Sequence, residues 1–197
     1  MNLANTITLF RIFVSPIFLL LYVEYQAWGI PLQLLPYLLL TLLAVFELSD
    51  ALDGYLARRY NQVTDLGKLL DPMADSIYHI SIFLAFSVEP VRLPIYLVFI
   101  FVYRDSVIST LRTVCALRGF TLAARASGKA KSVIQAGAAV IVTVLLIPFS
   151  LGHLTQATLR WSSMAVVGVA ALYTLFSGVE YLVANRAYIR KLLTSQS

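Results

Sequence analysis

Residues 130–150 read AKSVIQAGAAVIVTVLLIPFS, and this stretch holds a single charged side chain, that of Lys131. A helix that crosses the hydrocarbon core of a bilayer needs about 20 mostly apolar residues, so the stretch is long enough to span a membrane. Five other stretches of similar length and character occur along the chain. The sequence therefore predicts six transmembrane helices joined by short loops, over residues 6–26, 33–57, 67–88, 93–117, 130–150 and 161–185.

The composition agrees with a membrane protein. Of the 197 residues, 59% are hydrophobic and 13% are charged, whereas a soluble domain averages about 45–50% and about 25%. Disordered chains are poor in hydrophobic residues, so that class is excluded. Cys115 is the only cysteine, which excludes an internal disulfide and a cysteine-based zinc site. We expect an all-α integral membrane protein with one domain over residues 1–197.

The basic residues predict how the helices are oriented. Only Arg92 and Arg160 fall on one side of the predicted bundle, and eleven basic residues fall on the other. By the positive-inside rule, the side that is richer in Lys and Arg is cytoplasmic. This places both termini in the cytoplasm. Separately, Arg11 and Pro16 interrupt the first apolar segment, which argues against a cleaved signal peptide. The net charge of +5 reflects topology and attraction to anionic lipid, so nucleic acid is not an expected partner. The basic residues on the richer side are Arg58, Arg59, Lys68, Arg112, Arg118, Arg125, Lys129, Lys131, Arg186, Arg190 and Lys191.

Acidic residues cluster in one part of the chain, because five of the ten lie between Asp50 and Asp75. Asp50 and Asp53 are three residues apart, and Gly67, Asp71 and Asp75 follow one another at intervals of four, so each set shares one helix face. If the intervening loop brings the two helix ends together, four carboxylates converge. Oxygen ligands favour Mg²⁺, Mn²⁺ or Ca²⁺. Four carboxylates suit two such ions about 3.5–4 Å apart.

Small residues flank these carboxylates. Gly54, Ala57 and Gly67 leave room for a bulky anionic group to approach the backbone, and Arg58 adds a planar donor suited to phosphate. The alternative for Gly54 and Ala57 is that they only allow close packing between helices.

The whole stretch resembles the signature of the CDP-alcohol phosphotransferase family. The resemblance implies a six-helix membrane fold, generally a homodimer, that transfers a substituted phosphoryl group from a CDP-linked lipid to an alcohol and releases CMP. It implies that the four aspartates hold the metal ions, Mg²⁺ or Mn²⁺, that Asp75 is the general base, and that the small residues and Arg58 surround the cytidine diphosphate. The eight matching positions are Asp50-x2-Asp53-Gly54-x2-Ala57-Arg58-x8-Gly67-x3-Asp71-x3-Asp75.

The start of the first helix is similar to another family motif, Pro-Asn-x2-Thr-x2-Arg, with Ala4 in place of the proline. Asn5, Thr8 and Arg11 then lie close to one helix face, and the resemblance implies that Asn5 and Thr8 contact the nucleotide. The alternative is a capped helix start with one snorkelling arginine.

A third region bears on the acceptor alcohol. Gly128-Lys129-Ala130-Lys131-Ser132 resembles a motif of the phosphatidylglycerophosphate synthase branch, whose substrates are CDP-diacylglycerol and sn-glycerol 3-phosphate. A phosphorylated acceptor needs cations beyond the metal centre, and our candidates are Arg112, Lys129 and Lys131. The alternatives are acceptors such as phosphatidylglycerol, inositol phosphate or serine. The expected location is the inner membrane of a bacterium, with the site facing the cytoplasm.

The chain departs from the pattern of this branch at two positions. Ser76 stands where the branch usually has lysine, and Asp105 stands in place of glutamate. Arg104 and Asp105 lie within a predicted span, where charge must face a polar cavity or a partner. As neighbours about 100° apart on a helix, they need not pair with each other. His79, one turn after Asp75, is expected to be packed or hydrogen-bonded.

A different class of protein also uses carboxylates inside a membrane. A divalent-cation transporter would line its pathway with aspartates. All four aspartates here lie near one end of the predicted bundle, however, and the chain shows no internal repeat of the kind that transporters commonly have. The sequence therefore favours the transferase.

Overall fold

The structure, a computed structural model, describes the backbone of residues 3–59, 65–118 and 125–194. Within these ranges it describes the side chains outside residues 3–10, 51, 53–59, 65–69 and 191–194. The described residues form helices and no strand. The helices are α1 (Leu3–Glu24), α2 (Leu35–Arg59), α3 (Asp65–Ala85), α4 (Ile95–Leu117), α5 (Ala126–Ser150), α6 (Gln156–Ala184) and α7 (Arg186–Thr194).

Each of the six predicted segments corresponds to a helix, but two helices begin at least four residues earlier than expected. Helix α5 begins at Ala126, and helix α6 begins at Gln156. Thr155 caps α6 by accepting a hydrogen bond from the backbone N–H of Thr158 at 3.2 Å, which satisfies a donor that the helix itself leaves without a partner. Helix boundaries of this kind depend on local caps rather than on apolar length.

Helix α7 was not predicted. It spans Arg186–Thr194, nine residues that mix basic and apolar side chains, so a search for long apolar stretches passes over it. Asn185 separates it from α6 and donates a hydrogen bond from Nδ2 to the backbone oxygen of Tyr181 at 2.8 Å.

Aromatic side chains join the first, third and fourth helices. Phe18 of α1 meets Phe86 edge to face with ring centroids 5.9 Å apart, and Phe83 of α3 stacks on Phe101 of α4 at 4.6 Å. All four rings are fully buried. Such contacts contribute about 0.5–1.5 kcal/mol per pair beyond the burial of their area. Helix α3 thus packs between α1 and α4, which places its polar half beside both.

The outside of the described bundle is apolar. Phe13 is 78% exposed and Leu117 is 82% exposed, and large hydrophobic side chains are exposed on α1 through α6. Soluble monomers rarely expose extended apolar surfaces. In the part of the chain that the structure describes, α5 and α6 are long and apolar enough to cross a membrane. Six spans and cytoplasmic termini stay predictions.

Candidate active site

The polar ends of α1 and α2 are joined by an ion pair. Arg11 of α1 is buried, and its Nη1 atom donates to Oδ1 of Asp50 on α2 at 2.5 Å. The Asp50 side chain is 60% exposed. Arg11 therefore holds one predicted metal ligand against the first helix while most of that carboxylate faces outward.

Asp75, the predicted general base, is held from two sides. Ser132 of α5 donates from Oγ to Asp75 Oδ2 at 2.7 Å. His79 Nδ1 lies 3.2 Å from Oδ1 of the same carboxylate and 2.9 Å from the backbone oxygen of Asp75. His79 is buried and contacts Asp75, so the expectation of a packed or hydrogen-bonded histidine is confirmed. These contacts restrict the orientation of the Asp75 carboxylate.

Glu47 shares this neighbourhood. It lies one turn before Asp50 on α2, and Asp50 is the carboxylate that contacts Arg11 of α1. Ionisable side chains of α1 and α2 therefore lie together here, and the convergence of the four aspartates stays a prediction.

The chemistry of the predicted metal ligands suits a hard divalent cation. Asp50 and Asp71 are exposed, and Asp75 is partly buried, so these three offer carboxylate oxygens. In the described ranges, no three His, Cys, Asp or Glu side chains lie close enough together to bind one ion. The four-aspartate centre stays a prediction, because the side chain of Asp53 lies outside the described residues. The same holds for the side chains of Asn5, Thr8, Ala57 and Arg58 and for the surroundings of Gly54 and Gly67.

A second polar cluster is buried between α3, α4 and α5. Lys131 donates from Nζ to both carboxylate oxygens of Asp105, at 3.0 and 2.9 Å. Arg104 Nη1 donates to Asp105 Oδ1 at 3.0 Å, and Ser76 Oγ donates to Oδ2 at 3.0 Å. Lys131 is 3% exposed and Asp105 is 6% exposed. We call these four residues the Asp105 cluster.

The Asp105 cluster answers a question that the sequence left open. Arg104 and Asp105 need not pair as sequence neighbours, and the structure shows that they do, at 3.0 Å. Lys131, a candidate ligand of the acceptor phosphate, is buried and pairs with Asp105, and its role toward the acceptor stays a prediction. Lys129 of the same helix is exposed, and Arg112 of α4 is partly exposed.

The Asp105 cluster adjoins Asp75 through two pairs of sequence neighbours. Ser76 follows Asp75 on α3, and Ser132, which binds Asp75, follows Lys131 on α5. The structure therefore brings a buried cation close to the predicted base.

Glu180 was missed by the sequence reasoning. This α6 residue accepts a hydrogen bond from Ser127 Oγ at 2.5 Å and forms an ion pair with Arg125, whose Nε atom lies 2.6 Å from Glu180 Oε1, and so connects the start of α5 to α6. An acidic residue inside a predicted span was the signal that could have found it, because such residues usually have a partner.

Glu180→Gln is expected to destabilise the protein by about 1 kcal/mol, because it weakens charge-assisted hydrogen bonds that are partly exposed. Thermal unfolding in detergent micelles measures this change. Glu24→Gln, at the exposed end of α1, is the matched control and should leave the unfolding temperature unchanged. Equal unfolding temperatures for the two variants would mean that the Glu180 contacts add nothing to stability.

Comparison with known proteins gives a consistent result over nearly the full chain. A family model described as CDP-alcohol phosphatidyltransferase matches residues 1–176. A Bacillus subtilis protein named CDP-diacylglycerol–glycerol-3-phosphate 3-phosphatidyltransferase is 34% identical over 192 residues, which cover 93% of this chain and 95% of the relative. Proteins of the same name from Escherichia coli K12 and Shigella flexneri are each 31% identical over 193 residues, with 94% and 96% of the two chains covered.

Proposed function

Because the chain belongs to the CDP-alcohol phosphatidyltransferase family, we propose that it transfers the phosphatidyl group of CDP-diacylglycerol to sn-glycerol 3-phosphate. The products are phosphatidylglycerophosphate and CMP, so the enzyme acts in phospholipid synthesis. One observation carries this proposal: the similarity to relatives of that name extends over more than nine-tenths of both chains. The family resemblance of the aspartate signature is thereby confirmed.

Asp75 is the proposed general base. It accepts the proton of the glycerol 3-phosphate hydroxyl as the oxygen attacks the phosphatidyl phosphorus, and the bond from that phosphorus to the CMP oxygen breaks. The contacts from Ser132 and His79 support this role, because a base must be held in a fixed orientation toward the proton that it removes. A positioned base of this kind contributes about 10²–10⁴-fold to the rate.

The four aspartates are the proposed ligands of two divalent ions, Mg²⁺ or Mn²⁺. When bound, such ions would neutralise the charge on the pyrophosphate of the CDP-lipid and on the departing CMP. Arg11 supports this arrangement by holding the carboxylate of Asp50 at the polar end of α2. The ligands are Asp50, Asp53, Asp71 and Asp75.

The remaining substrate contacts are divided between nucleotide and acceptor. Lys131 is the best supported acceptor residue, because Ser132, its neighbour in the chain, donates to the carboxylate of Asp75, the proposed base. The acceptor phosphate would be bound by Arg112, Lys129 and Lys131, and the cytidine diphosphate by Asn5, Thr8, Gly54, Ala57, Arg58 and Gly67.

We propose that the whole chain is one membrane domain with six spanning helices and both termini in the cytoplasm. The exposed apolar side chains on α1 through α6 support burial of these surfaces in lipid. The site then faces the cytoplasm from the inner membrane of a bacterium, where glycerol 3-phosphate is available, and the protein acts as a homodimer.

Purified protein supplied with CDP-diacylglycerol, Mg²⁺ and single acceptors tests the reaction. We expect CMP release that depends on glycerol 3-phosphate, falls to background with EDTA and returns with added Mg²⁺. CMP release with phosphatidylglycerol, inositol phosphate or serine instead would show that the proposed acceptor is wrong and that the class of reaction is right. No release with any acceptor would contradict the transferase, and a test for divalent-cation transport in vesicles would follow.

A further inference from the structure

The Asp105 cluster contains more positive than negative charge. Lys131 and Arg104 each contribute one cation, and Asp105 contributes the single anion. Asp105 already accepts four hydrogen bonds, which is about the full capacity of a carboxylate. Within these four residues one positive charge is therefore in excess, and the Asp75 carboxylate is the anion that adjoins them.

Donors of both cations remain available within the cluster. Lys131 has three N–H donors, and two bonds go to Asp105. The Nε atom of Arg104 is buried and has no hydrogen-bond partner among the described residues. An anion that bound here would therefore accept hydrogen bonds from Arg104 Nε and from the third N–H of Lys131.

Two further features hold the cations in place. The two positions at which the chain departs from the synthase-branch pattern contact each other, because Ser76 donates to Asp105. Gly178 of α6 leaves room for Arg104, since a Cβ atom at that glycine would lie 2.9 Å from Arg104 Cγ. Residues from four helices, α3 through α6, therefore determine where the two cations sit.

We infer that Asp105 is a positioning residue for the acceptor: it holds Lys131 and Arg104 side by side so that their remaining N–H donors bind the phosphate of glycerol 3-phosphate beside Asp75. The inference rests on the proposed function. Asp105 does not touch the substrate, and the three bonds that it accepts from Lys131 and Arg104 fix the ammonium and guanidinium groups before the phosphate arrives. Fixing them in advance lowers the entropy lost on binding.

Asp105→Asn tests this role, because it keeps the shape of the side chain and removes its charge. The amide N–H₂ group is itself a donor and cannot accept a hydrogen bond from Lys131 or Arg104, so the Lys131 ammonium group should change its position. We expect the KM for glycerol 3-phosphate to rise about tenfold or more, as for the loss of a charge-assisted hydrogen bond, and the KM for CDP-diacylglycerol to change less than about twofold. Asp105→Glu keeps the carboxylate and should recover most of the loss.

A matched control separates positioning from stability. Thr143 is buried on α5 and bonds the backbone oxygen of Ala139 in its own helix, so Thr143→Val disturbs the same helix without touching the cluster. It should leave the ratio of the two KM values unchanged. If Asp105→Asn does not fold, Gly178→Ala carries the test, because it displaces Arg104 from α6 and should raise the KM for glycerol 3-phosphate at least about threefold.

The outcomes separate the inference from the proposed function. No glycerol 3-phosphate-dependent CMP release by the unaltered enzyme would overturn both. An active enzyme in which Asp105→Asn or Gly178→Ala changes the two KM values by the same factor would overturn the inference alone. A selective rise that Asp105→Glu reverses would support it.

Discussion

Asp75→Asn is expected to lower CMP release at least about 100-fold, because an amide cannot accept the proton that a general base removes. The variant is nearly the same shape, and Ser132 can still donate to the amide oxygen, so the fold should persist. The kcat with saturating glycerol 3-phosphate measures the effect. Thermal unfolding in detergent checks the fold, and retention on immobilised CDP-diacylglycerol checks substrate binding.

Asp75 is also a proposed metal ligand, and two controls distinguish the roles. Ser132→Ala removes the hydrogen bond to the carboxylate but leaves the carboxylate itself, so we expect a loss of less than about tenfold. Titration with Mg²⁺ is the second control. If excess Mg²⁺ restored the rate of Asp75→Asn, the loss would come from ion binding, and the assignment of Asp75 as the base would be wrong.

Lys131→Ala is expected to raise the KM for glycerol 3-phosphate about 30-fold or more, which corresponds to about 2 kcal/mol of lost binding. The KM for CDP-diacylglycerol should change less than about threefold, because the nucleotide is expected to bind elsewhere, near α1 and α2. Initial rates of CMP release over a matrix of both substrate concentrations give the two constants. The variant should also unfold at a lower temperature, since the buried Asp105 carboxylate loses two of its four hydrogen bonds.

Lys129→Ala is the comparison for this prediction. Lys129 lies on the same helix but is exposed, so its charge is screened by water and salt. Its removal should raise the KM for glycerol 3-phosphate less than about fivefold. Lys131→Arg keeps the positive charge but changes the shape of the side chain, so its KM for glycerol 3-phosphate should lie between those of Lys129→Ala and Lys131→Ala. Equal effects of Lys129→Ala and Lys131→Ala would place the acceptor phosphate at the helix surface, and a parallel change of both KM values would exclude Lys131 from the acceptor pocket.

The extent of the helices was predictable to a large degree from the sequence. The six apolar stretches correspond to α1 through α6 because a long hydrophobic run with few charges has few other stable conformations. Helix α7 was missed, since nine residues of mixed character carry no such signal. The family was recognised from eight positions between Asp50 and Asp75, because metal ligands and small residues must recur at helical spacing to reach one site.

The partners of the polar side chains could not be predicted in this way. The sequence placed Lys131 in a basic region and left Asp105 without a partner, whereas in the structure Lys131 and Asp105 pair across 26 positions of the chain. Asp75 and Ser132 are 57 positions apart, and Glu180 and Ser127 are 53 apart. Periodicity states which residues share a face of one helix, but it does not state which faces of two helices meet.

The sequence by itself determined the helical class, the approximate helix boundaries, the family signature and the candidate metal ligands. Each of these depends on hydrophobic length or on spacing within one or two neighbouring helices. Only the tertiary structure decided that Asp105 accepts hydrogen bonds from Ser76, Arg104 and Lys131, and that this cluster adjoins Asp75. The physical reason is that buried charges must find partners, and the packing of non-adjacent helices determines which partners are within reach.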